Sequence, residues 1–80
     1  MRLDKFLKVS RIIKRRTLAK DFAENERVAL NGRLAKPASE VKKGDIITIQ
    51  VGEKKTSYEV LEIKDNVKTA EARNMYRIIE

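Results

Sequence analysis

Eighty residues, a net charge of +7, no cysteine and no histidine exclude a good deal before any motif is read. A chain of this length holds one domain with a modest core, burying about 60–65% of its unfolded surface, and lacks room for a catalytic cleft beside a second binding module. Without cysteine or histidine there are no disulfides, thiolate metal ligands, thiol nucleophiles or imidazole bases, and a reducing compartment suits such a chain. The opening MRLDKFLKVSRII has no apolar run longer than two residues, so it lacks the apolar centre of a signal peptide. No stretch approaches the roughly 18 apolar residues that span a membrane. The expectation is a soluble, cytoplasmic protein with no membrane partner.

The charge is one-sided. Residues 1–36 hold eleven Lys and Arg against four acids, whereas residues 37–80 hold eight of each. Solubility alone favours interspersed signs; an excess confined to one part of the chain implies a polyanionic partner.

In chain order, Leu3, Phe6, Leu7, Ser10 and Ile13 recur at helical spacing and predict a helix over 3–13 with one buried stripe. Lys5, Lys8 and Arg11 then share the opposite face, with Arg15 joining them if the helix runs on, and Asp4 is placed to pair with Lys8 one turn later. Leu18, Ala19, Phe22 and Ala23 mark the buried face of a second helix over about 16–25, with Asp21 and Glu24 outward. Lys14-Arg15-Arg16 therefore falls at the junction of two helices. Free N–H groups at the second helix's start add positive potential there, and arginine's fork can hold two phosphate oxygens at once.

After Asn25-Glu26 the period changes to two. Asn31-Gly32 lies between the short apolar runs 28–30 and 33–35 and signals a hairpin, since both residues accept the positive φ of a tight turn. Lys36-Pro37 ends that hairpin, Gly44-Asp45 makes another turn, and 46–51 reads as a strand. A turn over 52–55, a strand over 56–63, a helical turn around 69–73 and a last strand over 75–79 follow. The class is α+β: two N-terminal helices and a β-hairpin, followed by a small, mostly antiparallel sheet.

Arg2-Leu3-Asp4 opening a helix, Leu7 one turn on, Arg16 and Ala19 in the second helix, Val28, Asn31-Gly32, Lys36-Pro37, Ser39, Val41 and Gly44-Asp45 together resemble the S-four RNA-binding domain, named after small-subunit ribosomal protein four. The match covers about residues 2–51. With Met1 to Lys8 and Asn74-Met75-Tyr76 included, the chain resembles stand-alone bacterial members that act in ribosome-associated quality control, relatives of heat-shock proteins carrying the same domain. The resemblance implies a single RNA-binding domain over 1–80, a core motif at 2–51 with a C-terminal strand extension at 52–80. It implies contacts of Arg2 and Arg16 with RNA backbone. Its implied partners are large-subunit ribosomal RNA, transfer RNA on a stalled subunit, and a factor that extends the blocked chain with alanine; the free protein is expected to be a monomer. Two departures stand out. Arg15 occupies the place where many members have a capping Ser or Thr, so the cap is lost or Thr17 shifts the helix start by one or two residues. Asn25-Glu26 replaces a glycine, and Asn25 is expected to take the left-handed conformation.

The RNA-binding residues expected are Arg2, Lys14, Arg15 and Arg16 at the centre, with Lys5, Lys8, Arg11 and Lys36 flanking. No catalytic residue, metal or cofactor is expected, because Asp4 and Asp45 have structural roles to fill. Phe6 and Phe22 belong to the apolar stripes, and Tyr58 and Tyr76 lie outside the basic stretch. With no aromatic free for base stacking, backbone and shape recognition of folded RNA is the better match. A DNA-binding helix-turn-helix is the weaker reading, because the second helix would present Asp21 and Glu24 to a major groove.

Overall fold

The computed structural model describes residues 1–79; Glu80, which closes the expected C-terminal extension, lies outside the described residues. Helix α1 spans Leu3–Val9 and α2 spans Arg16–Glu24. The strands are β1 Val28–Leu30, β2 Arg33–Leu34, β3 Ile46–Val51 and β4 Lys54–Val60. A short helix α3, Thr69–Ala72, runs into a 3-10 turn at Arg73–Met75, and β5 is Tyr76–Ile79. The strands make one antiparallel sheet in the order β2-β1-β3-β4-β5. The hairpin is thus the edge of the sheet, not a unit ahead of it. Among the described residues, no helix is long and apolar enough to cross a membrane.

The apolar spacing at the start of the chain is obeyed, but not by one helix. Leu3, Phe6, Leu7, Ser10 and Ile13 are all buried, yet α1 stops at Val9, two residues before Arg11 turns left-handed at φ 66°. The Arg11 N–H donates to the Lys8 carbonyl and the Ile13 N–H reaches back to that of Leu7. This C-terminal closure satisfies carbonyls that a helix end leaves orphaned and folds Ile13 under α1 by a loop. Helix α2 packs on α1 through Ala19 and Ala23, whose small side chains are buried, while Phe22 is half-buried and Leu18 is 45% exposed. The expected buried face is narrower than its apolar residues suggest.

The turn at Asn31-Gly32 has φ of 53° and 84°, the pair that a two-residue hairpin needs. Past α2, Asn25 caps the last turn by donating from Nδ2 to the Asp21 carbonyl at 2.7 Å. The left-handed residue is Glu26, at φ 60°, instead of Asn25, whose φ is −95°. Strand β4 begins at Lys54 because Val51 and Lys54 are already register partners, so the turn is shorter than 52–55. It ends at Val60, where the Leu61 and Glu62 N–H groups bond to the Met75 carbonyl instead of a strand. Phe6, Leu3, Leu7, Ile47, Met75, Val28, Val41 and Val60 fill the space between helices and sheet with almost no exposure. Tyr58 and Tyr76 meet edge to face across β4 and β5, centroids 5.5 Å apart. Burial, and then the neighbouring Tyr76 phenol, raises the Tyr58 hydroxyl above its ordinary titration range.

Candidate nucleic-acid interface

The interface begins at the N-terminus of α1. Arg2 is the extended residue before the helix and pairs backbone to backbone, antiparallel, with Glu40 in the loop between β2 and β3. The first N–H groups of α1 are satisfied by that loop: Leu3 donates to the Ser39 carbonyl at 2.8 Å and Asp4 to that of Pro37 at 3.1 Å. Ser39 Oγ in turn accepts from the Lys36 N–H at 2.9 Å. The loop carrying Lys36 is thereby fastened beside Arg2, although 34 positions separate them in sequence.

Asp4 organises the corner. Its side chain is only 3% exposed, and its carboxylate accepts from the Lys5 N–H at 2.7 Å and from Arg2 Nε at 3.2 Å. Arg16 Nη2, from the first residue of α2, stands 3.5 Å from the same oxygen. Both arginines stay about half exposed. A buried carboxylate is costly unless it is paired, and here it draws together the guanidinium groups of Arg2, just before α1, and Arg16, at the start of α2. The expected Asp4–Lys8 pair does not form, because the carboxylate turns inward to the α1 start and away from Lys8. Arg16, although half exposed, is tied to the same carboxylate.

Helix α2 has no side-chain cap. Arg15 is its N-cap residue, with extended backbone and no capping hydrogen bond, and the helix starts at Arg16 without a shift toward Thr17. There is no acid in its first turn. Lys14, Arg15 and Arg16 are exposed at the positive end of the helix dipole, where stability alone favours anions. The flanking residues divide. Lys5 is drawn off to Asp65, with Nζ 3.2 Å from the carboxylate. Lys8 and Arg11 border a shallow depression with Asp65, Asn66 and Val67. The structure brings together Arg2, Arg16 and the Lys36 loop, with Lys14 and Arg15 next along the chain, and sets Lys5 and Lys8 on a neighbouring face. The organising role of Asp4 was missed from sequence; its signal was the one acid in residues 1–20, set between Arg2 and Lys5 at the start of the basic run.

A two-helix corner set against a β-hairpin, cationic on its outer side and held by one buried carboxylate, defines a small helix–helix–hairpin binding module. The chain belongs to the S4 domain family: the model for the S4 domain matches residues 1–47. It is 55% identical over 80 residues to the RQC P-site tRNA stabilizing factor of Bacillus subtilis (strain 168), covering 100% of this chain and 93% of that protein. Identity to a heat shock protein 15 homolog of Aeromonas salmonicida is 36%, over 88% of this chain and 53% of that one. The trimeric structure of Vibrio cholerae heat shock protein 15 superposes with a TM-score of 0.89 at 35% identity, covering 99% of this chain and 81% of that one. The solution structure of a hypothetical protein, HP1423, gives 0.84 at 35% identity, covering 100% and 98%. The kinship read from Arg2-Leu3-Asp4, Asn31-Gly32 and Gly44-Asp45 is therefore correct, as is its link to the heat-shock members.

Proposed function

We propose that this chain is a non-catalytic RNA-binding protein of ribosome-associated quality control, acting as a single domain that grips large-subunit ribosomal RNA and transfer RNA. The observation that carries the reading is the corner itself: Arg2, Lys14, Arg15 and Arg16 gather around an uncapped helix start with one carboxylate, Asp4, among them. Mutual repulsion and an unfavourable helix dipole make such a cluster costly for folding alone. Phosphate relieves both. The name of the Bacillus subtilis relative, a P-site tRNA stabilizing factor, points to transfer RNA as one of the ligands. In this reading the protein steadies transfer RNA on a stalled large subunit in the cytoplasm while a partner factor adds alanine to the blocked chain.

The acids support binding over catalysis. Asp4 is engaged by the arginines, and Asp45 accepts from Asn31 Nδ2 at 3.1 Å and from the Lys42 N–H at 2.8 Å. Phe6 is buried and Phe22 lies under the Arg27 guanidinium, 5.7 Å from its ring centroid, so neither is placed to stack on a base. Capture of the carboxyl-terminally tagged chain, followed by subunit fractionation and RNA sequencing, tests the assignment. Large subunits carrying transfer RNA are expected; recovery of messenger RNA alone overturns it.

A further inference from the structure

The polar C-terminal stretch contains a cation that the charge partition passed over. Arg73 follows α3 and is exposed. Together with Arg11, Lys14, Thr69 and Tyr76 it lines an open cleft of about 670 Å³. Among the described residues, none of Arg11, Lys14 and Arg73 has an ion-pair partner, although other surface cations, such as Lys5, Lys42, Lys64 and Arg77, do. Two segments distant in sequence therefore present unneutralised charge to one hollow: the loop between α1 and α2, which carries Arg11 and Lys14, and the end of α3 with Arg73.

We propose that this cleft holds a second stretch of RNA backbone, making the C-terminal extension part of the interface. This rests on the RNA-binding reading above and extends it past residue 47, where the S4 domain match ends. The chemistry is that of a phosphodiester: two guanidinium groups and an ammonium for the charge, and the Thr69 hydroxyl and Tyr76 phenol for ribose or phosphate oxygens. Tyr76 is held edge-on to Tyr58, so its position is set before the ligand arrives. Continuity favours RNA over an isolated anion. Lys14 lines the cleft and also opens the Lys14-Arg15-Arg16 run, so one strand can pass from the Asp4 corner to Arg73 without leaving positive surface.

The test compares the parent chain with Arg73→Ala, Arg73→Lys, Arg16→Ala and Lys64→Ala for binding to purified bacterial large ribosomal subunits across a salt series. Arg73→Ala should melt like the parent, bind roughly tenfold more weakly and flatten the log–log salt slope by about one. Arg73→Lys should keep the slope. Binding by Arg73→Ala equal to that by Lys64→Ala, while Arg16→Ala is impaired, overturns this inference and leaves the proposed function standing. A parent chain with no salt dependence overturns both. Adenosine monophosphate provides the last arm: if it shifts the Thr69 and Arg73 amide resonances while Arg73→Ala binds subunits normally, the cleft serves a free nucleotide and the RNA assignment is wrong.

Discussion

Arg16 carries two roles that pull its substitution in different directions. Its contact with Asp4 is 3.5 Å long and half exposed, and Asp4 keeps Arg2 and the Lys5 N–H when Arg16 is removed. Arg16→Ala should therefore stay folded, losing about 0.5–1 kcal/mol, and should bind RNA much more weakly. Arg16→Lys keeps the charge but not the fork and should recover part of the binding. Asp4→Ala tests the other side of the pair. It leaves the Lys5 N–H unpaired and frees both arginines, so thermal unfolding should show a loss on the order of 1–3 kcal/mol. Equal stability of Asp4→Ala and the parent would mean that Asp4 does not organise the corner. Gly32 answers a separate question. A Cβ there meets nothing within 4 Å, so only the φ of 84° resists substitution. Gly32→Val should cost about 1–2 kcal/mol through backbone strain alone, read as a lower melting temperature.

Among the elements, α2 sets stability against binding. Many natural helices begin with Ser, Thr or Asp, whose oxygen accepts from a free N–H of the first turn; here Arg15 fills that place and makes no capping bond. Arg15→Ser should add about 1 kcal/mol by restoring the cap, raising the melting temperature by about 4–8 °C in a chain this size. The same change should weaken RNA binding, and a variant that gains stability without losing affinity would remove Arg15 from the interface. Helix α1 shows why an element's length was harder to read than its buried residues. Ile13 is in the core as its spacing requires, but the chain reaches it through the left-handed Arg11. Periodicity records which residues face the core. It is blind to a backbone that leaves the helix and still delivers the next side chain to the same place.

At the scale of the whole molecule, charge and fold meet in the salt dependence. If about five or six phosphates are neutralised, the slope of log affinity against log salt should lie near −4 to −5, and a slope near −1 would move the interface off the basic surface. The basic excess in residues 1–36, the helix–hairpin order, the Asn31-Gly32 turn and the kinship to the S4 domain were all legible in the sequence. These are local or compositional properties: charge is counted, turns are made by neighbours, and apolar spacing survives any arrangement of the remainder. What only the tertiary structure decided depends on contacts between distant segments. It turned Asp4 from Lys8 to Arg2 and Arg16, and drew Lys5 away to Asp65. It fastened the Lys36 loop to the start of α1 and brought Arg73 to Arg11 and Lys14. A side chain several bonds long reaches many partners, and the partner it takes is chosen by burial and by which loops the packed sheet brings within reach.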